Sequence, residues 1–83
     1  MAEAPDNAGD LEQVIALILK VGKLSRLEPD QDIYVAGFSS TRTLELLFEV
    51  EDIFSVQIPD DGRFPAARTA RDIVGVIQGS RAS

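Results

Sequence analysis

The sequence contains no cysteine and no histidine among its 83 residues. Without cysteine there are no disulfides, thiolate nucleophiles or sulfur ligands for a metal, and without histidine the commonest general base and zinc ligand are missing. Most simple catalytic schemes are therefore excluded. A chain of this length forms one domain that buries a modest fraction of its surface, so a large internal active-site cavity is not expected.

Long apolar runs are also missing. The longest one, residues 14–19, is too short to span a bilayer, and residues 1–10 are acidic where a secretory signal is basic. We therefore expect a soluble, cytoplasmic protein with no membrane insertion.

Basic residues are scarce in the middle of the chain, although the net charge of the whole is only −6. Residues 27–62 contain nine acidic side chains against a single base, Arg42. Such a field repels nucleic acid and attracts proteins that present lysine and arginine patches. The alternative is that the acidic surface only keeps a small protein soluble.

Apolar residues recur with the period of a helix, which predicts an all-α fold, a small bundle of three to four helices with a long loop between the first two. We predict a disordered tail at 1–9, a domain at 10–79 and a frayed tail at 80–83. The predicted helices are 11–24 with Asp10 as N-cap, 40–54, a short helix at 63–67, and 70–78 with Thr69 as N-cap.

The long loop, residues 25–38, contains Pro29, which excludes a helix through the preceding residue. Leu27, Ile33 and Tyr34 are the apolar residues that can anchor it to the core. Residues 33–35 form either loop or a short helical turn, because the chain offers no partner run for a strand.

The helix at 40–54 has two distinct faces. Its core stripe is predicted to consist of Leu44, Leu47, Val50 and Phe54, with Leu46 and Ile53 on one flank. Its opposite side carries three carboxylates within about sixty degrees, which we call the acidic ridge: Glu45, Glu49 and Asp52. Neighbouring like charges repel by a few tenths of a kcal/mol, so the ridge suggests a use.

Phe48 lies at the border between the core stripe and the acidic ridge. Either a flanking loop covers it, or it is exposed beside the acids as an apolar contact for a partner. At the start of the helix, after Gly37, either Ser39 or Ser40 can serve as N-cap. Past the helix, Ile58 is expected to return to the core.

Several of these residues together resemble the acyl carrier protein family. The similarity lies in residues 32–40, Asp-Ile-Tyr-Val-Ala-Gly-Phe-Ser-Ser, then Phe54 fourteen residues after Ser40, then Ile58-Pro59-Asp60. Family members have a glycine shortly before a modified serine, an acidic helix after it, and a Phe-x-x-x-Ile-Pro-Asp/Glu run at this spacing. The resemblance covers residues 11–78.

The resemblance implies that 4'-phosphopantetheine is attached to Ser40 as a phosphodiester, because only Ser40 keeps the downstream spacing. A serine in the first helical turn lies near free amides and the positive end of the helix dipole, which suits a phosphodiester. The family also implies surfaces for partners, namely the carboxylates of Glu45, Glu51 and Asp52 and the apolar residues Leu44 and Phe48. Glu49 is added to this predicted partner surface as a member of the acidic ridge. The chain would be a monomeric carrier rather than an enzyme, with acyl groups riding as thioesters on the arm.

The implied partners are a phosphopantetheinyl transferase, an acyl-loading ligase or synthase, and acyl-transferring enzymes with basic patches. No metal is implied. Fatty acyl, hydroxyacyl, polyketide and aminoacyl cargoes all suit a thiol arm. The chain has Ser39 and Thr41 where the commonest members, including the fatty acid biosynthesis type, have Asp and Leu, so it resembles specialised discrete bacterial-type carriers more closely.

Two other functions are compatible with parts of the pattern. An acidic helical adaptor or inhibitor without a prosthetic group would use Ser40 merely as a helix cap. A serine hydrolase would need a base for Ser40, and the sequence offers no histidine and no lysine near it.

Overall fold

The computed structural model describes residues 7–82, and this part of the chain contains helices and no strand. The elements are α1 (Asn7–Gly22), α2 (Ile33–Ala36), a 3₁₀ turn (Ser40–Arg42), α3 (Thr43–Phe54), α4 (Arg63–Ala66) and α5 (Ala70–Ala82). The predicted small all-α bundle is confirmed. None of these helices has both the length and the apolarity that a membrane span requires.

The core lies where α1 packs against both α3 and α5. Helical spacing puts one apolar face of each helix into it, and burying such faces is the main driving force of folding. The largest fully buried side chains come from all three helices and from the loop: Ile18, Ile33, Leu46, Ile73, Ile77, Val14 and Val50. The three long helices thus form the core that positions the loops.

α1 begins earlier than the sequence predicts. It starts at Asn7, so Asp10 is not its N-cap but lies in its first turn, where a carboxylate is favoured by the helix dipole. Residues 7–9, predicted as part of a disordered tail, are helical, and residues 1–6 lie outside the described part of the chain. The helix ends at Gly22, two residues before the predicted end, because Lys23 adopts a left-handed φ of 58°.

α5 continues to Ala82, so the prediction of a helix end at 78 and a frayed tail from 80 is wrong for residues 80–82. Gly79 weakens the helix locally, but contacts from distant elements compensate. Arg81 Nη1 lies 3.4 Å from Asp10 Oδ2, and its guanidinium lies 5.8 Å from the ring centroid of Phe54. Ser83 lies outside the described residues.

The buried face of α3 is rotated from the predicted one. Leu46, predicted on a flank, is buried together with Val50, whereas Leu44, predicted in the core stripe, is 58% exposed. Residues four apart share a helix face, so Leu46 and Val50 point inward together while Leu44 and Phe48 point outward together. The predicted helix at 40–54 also starts as a 3₁₀ turn, and only Thr43–Phe54 is α-helical.

The long loop is fastened to the start of α5. Leu27 and Ile33 are buried, as predicted for the loop anchors. Polar bonds add to them: the Ile33 N–H donates to the Arg68 carbonyl at 2.8 Å, and the Arg71 N–H donates to the Pro29 carbonyl at 3.1 Å. Arg71 Nε also lies 2.8 Å from Asp30 Oδ1. The two backbone bonds fix the segment that leads to Ser40, and the exposed ion pair of Arg71 adds little to them.

Candidate functional site

The site begins at a turn made by Gly37, directly after α2. Its φ of 119° is a conformation that side-chain-bearing residues rarely adopt, and a Cβ here would lie 3.2 Å from Leu24 Cδ2. The turn lets the Phe38 N–H donate back to the Ile33 carbonyl at 2.9 Å. The chain is thereby redirected from the loop into the 3₁₀ turn and α3.

The two serines that follow have different roles. Ser39 is the N-cap, because its Oγ accepts the Thr41 N–H at 3.3 Å and shares a hydrogen bond of 2.8 Å with Thr41 Oγ1. Ser40 is exposed, and within residues 7–82 its hydroxyl makes no hydrogen bond. The cap that the sequence left open between these serines is therefore Ser39. Ser40 presents an accessible hydroxyl.

A groove of about 1040 Å³ opens beside Ser40. Small-molecule sites in proteins have volumes of roughly 300–1,000 Å³, so the groove can hold an extended organic group. Its wall consists of residues from the long loop with α2, the 3₁₀ turn, one face of α3, the segment after α3, α4 and the segment after α4: Tyr34, Phe38, Ser40, Thr41, Thr43, Leu44, Leu47, Phe48, Glu51, Ile58, Pro59, Asp60, Phe64, Pro65 and Arg68. Most of these are apolar or aromatic, and Ser40 belongs to the same wall.

The carboxylates predicted to face partners differ in the contacts that they make. Glu51 turns inward, where its Oε2 accepts the Ile58 N–H at 3.0 Å. Glu45 Oε1 lies 3.5 Å from Arg42 Nη1, and Glu49 Oε1 lies 4.0 Å from Lys20 Nζ. Asp52 is exposed. Glu51 therefore supports the loop after α3, while the acidic ridge remains on the surface.

Apolar side chains are exposed next to the acidic ridge. Phe48 is 59% exposed, so the alternative in which a loop covers it is wrong. Leu44, one turn earlier, is similarly exposed, and both line the groove. The two residues form a small apolar patch between the groove and the carboxylates. Its use by a partner stays a prediction.

Arg68 lines the groove and pairs with Asp32, which is not part of the groove wall. Arg68 Nε donates to Asp32 Oδ2 at 2.7 Å, and this hydrogen bond, together with the N–H groups of Tyr34 and Val35, lowers the pKa of the Asp32 carboxyl. The Arg68 guanidinium lies 5.1 Å from the Tyr34 ring centroid. The Asp32 carboxylate thus stays ionised at pH values below the usual pKa range of aspartate.

The comparison with protein families decides what this arrangement belongs to. The family model described as phosphopantetheine attachment site matches residues 9–77. The chain belongs to this family. The resemblance to acyl carrier proteins is thereby confirmed, and the domain is a carrier of 4'-phosphopantetheine. Searches of curated proteins and of solved structures gave no match.

The geometry of this phosphopantetheine attachment domain fits its prosthetic group. The group needs an exposed hydroxyl and a surface along which a long flexible arm can lie, and Ser40 beside the groove offers both. The adaptor alternative loses its basis, because the family carries the group and because Ser39 provides the cap. In residues 7–82 no cluster of three or more acidic side chains is arranged to hold a metal ion.

Sequence reasoning missed several residues of the groove wall in this carrier domain. Tyr34 was predicted only as a loop anchor, and Phe38, Phe64 and Arg68 were not singled out. Phe38 and Phe64 are both 3% exposed and read from the sequence as ordinary core residues. The signal that could have found them is the position of Phe38 directly before Ser39 and of Phe64 five residues after Pro59.

Proposed function

We propose that Ser40 is the attachment residue and that the chain carries acyl groups, aminoacyl groups included, between enzymes of the cytoplasm. The observation that carries this proposal is the exposed, unbonded Ser40 hydroxyl on the wall of an apolar groove, in a chain of the phosphopantetheine attachment family. The chain then acts as a cosubstrate of its partner enzymes and not as an enzyme.

The prosthetic group supplies a terminal thiol on which an acyl group rides as a thioester. The protein's own residues supply the surface that partners recognise and the walls that shield the cargo. Ser40 fixes one end of the arm, and the apolar walls at Leu47, Ile58 and Phe64 offer a dry surface for the cargo. The exposed position of Ser40 leaves room for an enzyme to approach it.

We propose that partners bind the acidic ridge and the apolar patch of Leu44 and Phe48. The apolar patch lines the groove together with Ser40, and the acidic ridge lies next to the patch on α3. Carboxylates at a rim steer basic partners and speed their encounter, while exposed apolar groups contribute affinity at close range. Partners with basic patches, such as a phosphopantetheinyl transferase and acyl-handling enzymes, match this surface.

The attachment is tested by incubating the chain with coenzyme A and a broad-specificity phosphopantetheinyl transferase. The intact mass should increase by one phosphopantetheine, and fragmentation of the modified peptide should place the added mass on Ser40. An unchanged mass with several such transferases would contradict the proposal.

The partner surface is tested by charge reversal on the ridge. The double change Glu45→Lys and Asp52→Lys should reduce the association rate with the transferase by roughly 10- to 1,000-fold at low salt, because steering by the acidic field is lost. Stopped-flow measurements at low and high salt check this result, and the difference should shrink as salt screens the charges. Thermal unfolding should change little, since both side chains are at the surface.

A matched control reverses two acids elsewhere on the domain. Glu12→Lys with Glu28→Lys changes the net charge by the same amount, and both side chains are exposed on elements other than α3. The control should keep most of the association rate. Equal losses in the two double variants would mean that net charge alone matters and that the ridge is not a docking site.

A further inference from the structure

One wall of the groove contains two aromatic side chains, Phe38 and Tyr34, that differ in burial. Phe38 is 3% exposed and packs against the end of α1, whereas Tyr34 is half-buried. The two rings meet edge to face, with centroids 6.2 Å apart and planes at 69°. Tyr34 is therefore the part of this wall that can move.

Arg68 contacts the ring of Tyr34. Its guanidinium lies 5.1 Å from the Tyr34 ring centroid, within the range of a cation–π interaction, and the same side chain lines the groove. Its backbone carbonyl accepts the Ile33 N–H at 2.8 Å, so Arg68 contacts both the backbone of α2 and the ring of Tyr34.

Asp32 completes the connection. Its Oδ1 is the N-cap of α2 and accepts the N–H groups of Tyr34 at 2.9 Å and Val35 at 3.2 Å. Its Oδ2 accepts Arg68 Nε at 2.7 Å. One carboxylate thus joins Arg68 to the helix that carries Tyr34. The ion pair and the ring contact lie at the surface, where each is weak, so they can break and re-form readily.

We propose that Arg68, joined to Asp32, is a positioning residue that latches Tyr34 in the groove wall and so sets how long the cargo on the arm stays sheltered. The proposal rests on the proposed function, in which the arm on Ser40 lies along the groove. When Arg68 releases Tyr34, the cargo thioester becomes exposed to an attacking thiol.

The latch itself is tested on the chain without its prosthetic group. Tyr34 is the single tyrosine and the sequence has no tryptophan, so intrinsic tyrosine fluorescence reports on this ring alone. In Arg68→Met, acrylamide should quench this fluorescence more strongly than in the natural chain. Asp32→Asn should give a change in the same direction, because an asparagine still caps α2 but no longer pairs as a charge.

Shelter of the cargo is tested on the chain loaded with an octanoyl thioester. Transfer of the octanoyl group to free N-acetylcysteamine, followed by intact mass, should be about three- to tenfold faster in Arg68→Met, the effect expected from losing one weak ion pair and one ring contact.

Arg71→Met is the matched control. Arg71 and Arg68 have equally exposed side chains, at 58%, and each pairs with a loop aspartate, but Arg71 lies outside the groove. The control should leave both the fluorescence and the transfer rate unchanged. Equal effects of the two substitutions, or no effect of Arg68→Met, would overturn the latch, whereas a natural chain that gains no mass would overturn the proposed function instead.

Discussion

Ser40→Ala is expected to abolish attachment of phosphopantetheine completely. The variant removes the one hydroxyl that is exposed on the groove wall at the spacing required by Phe54 and Ile58. Because that hydroxyl makes no hydrogen bond within residues 7–82, its loss should leave the fold and the free energy of unfolding nearly unchanged. Intact mass after transferase treatment and a thermal unfolding curve measure the two outcomes separately.

Ser39→Ala is the matched control for this experiment. It removes the N-cap, whose Oγ accepts the Thr41 N–H at 3.3 Å, and should cost about 0.5–2 kcal/mol of stability. Attachment should continue in this variant, because the Ser40 hydroxyl is still present. If Ser39→Ala lost the modification while Ser40→Ala kept it, the attachment residue would lie one position earlier than the spacing indicates.

Gly22→Ala is expected to destabilise the domain by about 1–3 kcal/mol, the usual cost of forcing an extra group into a packed core. A Cβ at Gly22 would lie 2.5 Å from Phe38 Cδ1 and 3.1 Å from its Cε1, and Phe38 is buried. The ring must then shift, and with it the edge contact to Tyr34 that forms the groove wall. Urea denaturation followed by far-UV circular dichroism measures the loss of stability.

The same substitution in open space provides the control. Gly75 lies inside α5, and a Cβ there would meet nothing within 4 Å. Gly75→Ala should therefore stabilise the domain by roughly 0.5–1 kcal/mol, because alanine restricts the unfolded chain and favours the helix. Opposite signs at Gly22 and Gly75 are the expected result. A stabilising effect at both would show that Phe38 is not held tightly against α1.

The bundle and the turn before the two serines were accessible from sequence because they depend on local rules, whereas the choice of Ser40 came from the family resemblance. Helical periodicity identified three long apolar faces, and Pro29 and Gly37 marked the loop and its last turn. Thr69 also caps α5 as predicted, since its Oγ1 accepts the Asp72 N–H at 3.0 Å. Such features are set by neighbours within one helical turn.

Helix ends and faces that depend on distant contacts were predicted less well. α5 extends to Ala82, with Arg81 reaching Asp10 across the domain, and no local pattern encodes that pair. The choice of Leu46 over Leu44 for the core follows from how α3 packs against α1, which periodicity alone does not define.

The groove was the hardest part to predict, because it is a space between elements. Its aromatic wall joins residues from the loop and from α4, and Arg68 enters it through pairs with Asp32 and Tyr34 that lie more than thirty positions earlier. Glu51 illustrates the same limit. Its resemblance to partner-binding carboxylates was visible in the sequence, whereas its bond to the Ile58 N–H required the structure.

The fastening of the long loop to Arg68 and Arg71 has a consequence for the newly made protein. A ribosome synthesises these arginines after Ser40, yet their backbone groups hold the segment that leads into Ser40. Bonds between residues so far apart in sequence form only once the later residue is available. A nascent chain that has exposed Ser40 but not α5 therefore lacks the bonds that fix the segment before Ser40, and this segment becomes ordered only after residues 68–71 have been made.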